Sequence, residues 1–184
     1  MDWVLEETED IKTVPEHIEL VERAQQGDID AFELLIYQNK AMLYRIGVNI
    51  LKSDFDTADA IQETLFIAYK KLPQLRQTQY FKTWLVRILM NECKKISKKR
   101  KKELSIESES YQDTSYEIKE VEDELKSYIE LLAPKLQQVV FLKYYEEFKI
   151  TEIKRILGIP ESTVKTRLRT AKKQLMSLML EGNR

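Results

Sequence analysis

The sequence predicts an all-α protein: two small helical domains joined by a flexible acidic linker. Three observations carry this. Only four glycines and four prolines occur in 184 residues, too few for a turn-rich β fold. Apolar residues recur at helical spacing from Glu16 to Lys102, and again after the linker. Charge is laid out in blocks, although the net charge is only −1. The stretch "KKISKKRKK" (Lys94 to Lys102) is wholly basic. "ELSIESESYQDTSYEIKEVEDEL" (Glu103 to Leu125) is acidic apart from Lys119. From Lys154 to Lys173 the sign flips back, with Glu161 as the one acid. Screening acts over about 8 Å at physiological salt, so each block is felt locally.

The elements follow in order. Residues 1–15 read as an acidic N-terminal tail, lacking the basic and apolar parts of a signal peptide. Residues 16–102 read as one helical domain. "HIELVERAQQGDIDAFELLIYQNKAMLYRIGVNILK" breaks near Gly27, where Asp28 or Asp30 can cap the next helix. His17, the only histidine, is expected at a helix start on the surface. "DFDTADAIQETLFIAYKKL" is amphipathic: Ala58, Ile61, Leu65, Ala68 and Leu72 share the expected inner face. Asp59, Gln62, Glu63, Phe66 and Lys70 share the outer one. A phenylalanine among acids fits a partner-binding surface or a contact with a neighbouring helix.

Pro73 ends that helix. "QLRQTQY" is a loop, and "FKTWLVRILMNECKKISKKRKK" is the next helix, with Trp84, Leu85, Ile88, Leu89 and Ile96 as its apolar stripe. Cys93, alone of its kind, reads as a buried or half-buried thiol without a disulfide partner. Residues 103–125 form the expected acidic linker, with Tyr111 and Tyr116 as weak anchors, and residues 126–184 a second helical domain.

In that second domain Ile150, Ile153, Ile156 and Leu157 form one stripe. Gly158 stands where a helix end needs positive φ, and Pro160 suits the first turn of a new helix. Val164, Leu168, Ala171 and Leu175 form the next stripe. Thr163, Lys165, Thr166, Arg167, Arg169, Lys172 and Lys173 are left outside. Two short helices with a tight glycine turn, the second basic on its free face, make a helix-turn-helix. Its second helix would present Glu161, Ser162, Thr163, Lys165 and Thr166 to base edges in the major groove. Arg167, Arg169 and Lys172 would hold phosphates, making binding salt-dependent. An ordinary antiparallel helix pair with a polar exterior is the plainer alternative.

These residues resemble a family. "LAPKLQQVVFLKYYEEFKITEIKRILGIPESTVKTRLRTAKKQL" resembles the C-terminal, promoter-reading domain of sigma-70 family RNA polymerase sigma factors. "GDIDAFELL", "DTADAIQETLFIAYKKLPQLR" and "FKTWLVRILMNECKK" are similar to their N-terminal domain. The order of domains and the short linker match the extracytoplasmic-function (ECF) group, and the similarity covers roughly Glu19 to Leu178. The resemblance implies a sigma factor that directs core RNA polymerase to promoters and assists their melting. It implies contact of Asp59, Gln62, Glu63 and Phe66 with the β′ clamp helices, and of the C-terminal domain with the β flap. Leu75, Arg76, Tyr80, Phe81 and Trp84 would capture unstacked −10 bases, with Asn91, Lys94 and Lys95 on the neighbouring strand. Glu161 to Arg169, with Lys172, would read the −35 element as duplex. The linker would run near the template or RNA exit path. An anti-sigma factor, often membrane-bound, is implied as a further partner, and the chain itself is expected in the cytoplasm.

The sequence also departs from the family. Leu75 stands where an aromatic is common, and Lys154 where alanine is usual. Ala133-Pro134-Lys135 shifts the usual leucine–proline start, and the tail with Trp3 lies outside the pattern. No catalytic, metal or cofactor residues and no small-molecule substrate are expected, because no metal-ligand cluster, phosphate loop or Cys93 base is evident. The competing function is a stand-alone helix-turn-helix transcriptional regulator. It would leave the Asp59–Lys70 face unexplained. A purely structural adaptor would not need the charge blocks.

Overall fold

The computed structural model describes residues 10–104 and 123–182. Eight helices occupy them, and no strand is found among the described residues. α1 spans Asp10–Gln25 and α2 Ile29–Leu51. α1 begins six residues before the expected Glu16, so part of the supposed tail is helical. At the break Gly27 has φ +96°, and Asp28 is the cap that accepts the Ala31 N–H at 3.0 Å. Arg23 reaches back to the same carboxylate at 2.7 Å, which fixes the angle between the two helices. His17 is not at a helix start. It lies inside α1, half-buried, its ring 5.9 Å edge-on from Phe81.

α3 spans Asp54–Lys71, capped by the Ser53 hydroxyl on the Asp56 N–H. Its buried residues are Thr57, Ala60, Thr64 and Ala68, while Ala58 is exposed. Of the expected stripe Ala68 and Leu72 are buried and Ile61 and Leu65 pack half-buried against the core; Thr57, Ala60 and Thr64 extend the inner face to one side. Small residues win because α2 and α3 approach closely. A Cβ on Gly47 would stand 2.6 Å from Thr57 Cγ2. Pro73 stops α3 in a single tight turn, Leu72–Gln74. A second turn, Thr78–Tyr80, leads into α4, Phe81–Leu104.

α5 spans Asp123–Glu130, α6 Pro134–Val140, α7 Ile150–Leu157 and α8 Glu161–Gly182. The expected linker thus loses residues at both ends to α4 and α5. The rest of it, Tyr111 and Tyr116 included, lies outside the described residues. After α6 the chain widens into a π turn, Phe141–Tyr145, closed by the Glu146 N–H on Phe141 O at 3.1 Å.

Two clusters make the core. A small one joins Leu132, Leu136, Val140 and Ala171 within the C-terminal half. The large one does not stop at the first half. Leu35, Leu43, Ile46, Leu85 and Leu89 share it with Val139, Leu142, Phe148, Ile153, Ile156 and Val164. The two halves are packed on each other, α4 against α7, rather than merely tethered.

Gly47→Ala should cost about 1–3 kcal/mol through overpacking. Thr57→Ser, which removes the blocking methyl, should recover much of that loss in a double-mutant cycle read by urea denaturation. Additive losses would show that the α2–α3 contact does not set the glycine.

Candidate functional site

Three surfaces carry the residues singled out in the sequence. The first is on α3. Asp59, Gln62, Glu63 and Phe66 all face outward, and Phe66 is 54% exposed with Lys70 Nζ 3.9 Å from its ring centroid. They line an open groove of about 540 Å³ whose other wall comes from Glu92 and Ile96 of α4. The groove has acidic sides and an apolar floor, suited to a basic amphipathic helix. Glu92 and Ile96 were not singled out as partner-binding, because their approach to α3 depends on how the two helices cross. Lys95, expected at DNA, is exposed and holds Glu92, with Nζ 2.9 Å from both carboxylate oxygens.

The second surface is the turn before α4 and the start of that helix. Gln25 of α1 donates to the Leu72 and Leu75 carbonyls, at 3.0 and 2.7 Å, and so pins the turn. Leu75, Tyr80 and Trp84 are half-buried; Arg76, Asn91, Lys94 and Lys95 are exposed. Trp84, Asn91 and Lys95 fall on one face of α4, spread over about 16 Å at 1.5 Å per residue. Phe81 departs from the expectation. It is fully buried between His17 and Trp84, so its ring offers no free face to a base. It entered the core because the turn delivers it to the first position of α4, where α1 covers it. Tyr80 is half-buried, its ring under the Arg155 guanidinium at 3.6 Å.

The third surface is the α7–α8 unit. Gly158 has φ +66° and donates to Lys154 O at 2.9 Å; a Cβ there would meet nothing within 4 Å. Glycine is needed for the backbone angle, not for space. Pro160 sits just ahead of α8 rather than in its first turn, its carbonyl accepting the Val164 N–H. Val164 and Ala171 are buried, and Leu168 and Leu175 partly so. Ser162, Lys165, Thr166, Arg169, Lys172 and Lys173 are exposed, whereas Thr163 and Arg167 are half-buried. Lys165 is paired with Glu161 at 2.6 Å. That hydrogen bond holds the Glu161 carboxyl below its usual range.

Burial pushes the Cys93 thiol up to about 12, leaving it a packing group. Among the described residues no cluster of His, Cys, Asp and Glu could hold a metal, and no helix is long and apolar enough to cross a membrane.

This geometry defines an all-helical protein: a helix-turn-helix with an exposed basic face, joined to a second helical unit that carries an open, acid-sided groove. The family models for sigma-70 region 2 and sigma-70 region 4 match residues 35–103 and 122–175. The chain is 30% identical over 174 residues to the ECF RNA polymerase sigma-E factor of Escherichia coli, covering 85% of this chain and 90% of that one. It is 26% identical over 173 residues to the ECF sigma factor SigW of Bacillus subtilis, covering 84% and 92%. Among solved structures, CnrH in complex with the cytosolic domain of CnrY has TM-score 0.68 at 20% identity, covering 89% of this chain and 96% of that one. RpoE of Bartonella quintana, in complex with the anti-sigma factor NepR, has TM-score 0.70 at 20% identity, covering 82% and 98%. The chain belongs to the ECF group of RNA polymerase sigma factors. It is a transcription initiation factor, and the stand-alone regulator is not favoured.

His17 gives this region a pH signature. Burial, and then the Lys82 charge, hold its imidazole below the ordinary 6.5. Its contribution to stability is complete above pH 6.5 and is lost as the pH falls below that value, where the unfolded chain takes up the proton more readily. Urea titrations between pH 7.5 and 5 should show this slope in the native chain and a shallower one in His17→Gln. Identical slopes would place the imidazole in solvent.

Proposed function

We propose that this sigma factor divides promoter recognition among its three surfaces. The α3 groove, with Asp59, Gln62, Glu63 and Phe66, docks on the β′ clamp helices of core RNA polymerase. Tyr80 and Trp84 receive unstacked −10 bases while Asn91, Lys94 and Arg76 follow the backbone. Leu75 shapes the turn. The exposed face of α8 reads the −35 element as duplex, Ser162, Lys165 and Thr166 toward bases, Arg169 and Lys172 toward phosphates. Glu161 helps by orienting Lys165, and Thr163 and Arg167 line the edge of the same face. The C-terminal unit meets the β flap.

One observation carries the polymerase assignment. Phe66 keeps a large ring exposed in an acid-sided groove, and leaving apolar surface in water forfeits about 25 cal/mol per Å² until something covers it. A basic helix would satisfy both the ring and the carboxylates. An anti-sigma factor is a further partner of this chain in this reading, since the structures it resembles, CnrH and Bartonella RpoE, were solved as complexes with the cytosolic domain of CnrY and with the anti-sigma factor NepR. A membrane association of this chain would then come through that partner. The chain itself does no covalent chemistry.

The division of labour is separable. Asp59→Ala with Glu63→Ala should weaken association with core polymerase, read by native gel or fluorescence anisotropy, while sparing upstream duplex contacts. Lys165→Ala with Arg169→Ala should do the reverse, lowering the salt slope of duplex binding by about one per lost phosphate contact. Equal effects of both pairs on both activities would sink the scheme. Transcription by core polymerase on a pool of promoter fragments, with starts mapped, tests the whole: discrete starts must depend on this protein.

A further inference from the structure

One residue belongs to two of the surfaces at once. Glu92 of α4 lines the α3–α4 groove together with Asp59 and Glu63. Its carboxylate also holds Lys95, whose Nζ lies 2.9 Å from both oxygens. The two side chains differ sharply in burial: Lys95 is 69% exposed and Glu92 only 8%. Among the described residues Lys95 is the one partner of that carboxylate, whereas Asp59 and Glu63 have no ion pair. A nearly buried carboxylate cannot turn to water when it loses its cation, so Lys95 is held more firmly than an ordinary surface lysine. Successive helical residues turn by about 100°, which puts Lys95 about 40° from Asn91 on one side and about 60° from Glu92 on the other. The Lys95 stem therefore stands on the border between the face that carries Trp84 and Asn91 and the wall of the groove. Its ammonium is drawn to the groove side. Lys94, exposed next to it, has no such carboxylate among the described residues.

We propose that Glu92 is a positioning residue that couples the groove to the −10 strand. In the free chain it withholds Lys95 from DNA. A cationic side chain of the polymerase helix that enters the groove pairs with Glu92 and frees Lys95 to turn to a strand phosphate beside Asn91. The exchange conserves ion pairs: the partner's cation replaces Lys95 at Glu92, and a phosphate replaces Glu92 at Lys95. Without the partner, Lys95 reaches a phosphate only by abandoning a carboxylate that is out of water. The proposal rests on reading the groove as the polymerase surface and Asn91 with its neighbours as the strand surface. It deepens both by naming the residue through which one acts on the other. The coupling is reciprocal: a strand that captures Lys95 leaves Glu92 open and tightens the groove's hold on a cation by the same factor. About fivefold, the low end of the usual range, is the expected size, because Lys95 itself is largely in water.

The test uses the full chain, free and assembled with core RNA polymerase, with core alone as the blank. Binding of a short fluorescent single-stranded DNA of mixed sequence is followed by anisotropy across a salt series. Lys95→Ala should change nothing in the free chain. In the assembled one it should cost about fivefold and lower the salt slope by about 0.7, one phosphate contact on a single strand. Glu92→Gln releases Lys95 without a partner. The free chain should then bind about fivefold more tightly, with a slope steeper by about 0.7, and adding Lys95→Ala should cancel both changes. A gain that survives Lys95→Ala means that Glu92 acts by its charge alone, and overturns the coupling. So does a loss from Lys95→Ala that is equal in the free and assembled chains, or absent from both. Tyr80→Ala in the assembled chain separates the causes. If it weakens binding where Lys95→Ala does not, only the coupling falls; if neither does, the strand reading falls with it. Failure of the groove reading shows separately, as unimpaired assembly of the chain carrying Asp59→Ala with Glu63→Ala. Should Glu92→Gln not fold, the comparison of Lys95→Ala between free and assembled chains decides by itself.

Discussion

Everything in this molecule depends on α4 being apolar on more than one side. Leu85, Ile88 and Leu89 are buried, but so are Thr83, Val86, Met90 and Cys93 on a neighbouring stripe. A helix buried around most of its girth needs partners on both sides. α2 and α3 serve one stripe. The other meets the C-terminal half, where Thr83 touches Glu152, and Met90 lines the same small cleft as Phe141 and Leu142. The seam between the two halves is thus a consequence of helix chemistry.

Several charges are compensated locally. Lys95 holds Glu92, Arg23 holds Asp28, Arg100 holds Asp56 at 3.0 Å, and Lys165 holds Glu161. Most of these pairs are exposed and contribute little to stability. Their effect is to set where a partner must exchange one ion pair for another. On α8 that exchange is mild, because the Glu161 carboxylate beside Lys165 is already partly in water. At the seam it is not, because Glu146, held by Arg45, is out of water.

The two surfaces proposed for DNA therefore differ in exposure. The basic residues Lys165, Arg169 and Lys172 of α8 are exposed. The Tyr80 surface is assembled, its turn pinned by Gln25 and its Phe81 anchored in the core, yet it lies beneath α7. Reading a duplex needs only a presented helix, whereas accepting an unstacked base needs an unoccupied ring face.

Much of this was legible in the sequence. Helical spacing, the Asp28 cap, the Pro73 stop and Gly158 with its positive φ are local events, set by residues a few positions apart. The outward face of α3 and the basic face of α8 follow from the same periodicity. The inner face of α3 includes Ile61 and Leu65, as hydrophobicity indicates, but also Thr57, Ala60 and Thr64, and the close approach of Gly47 to Thr57 is a tertiary fact that periodicity does not carry. Phe81 was taken for a platform because an aromatic at a helix start looks alike buried or bare. The second stripe of α4, Val86, Met90 and Cys93, was readable but pointed to no particular partner. Sequence by itself determined the elements, their caps and the sign of each exposed face, since those depend on neighbours along the chain. Only the tertiary structure decided which rings are free, which carboxylate is buried and what lies over Tyr80. Those depend on contacts between residues such as Arg45 and Glu146, 101 positions apart, that local pattern cannot pair.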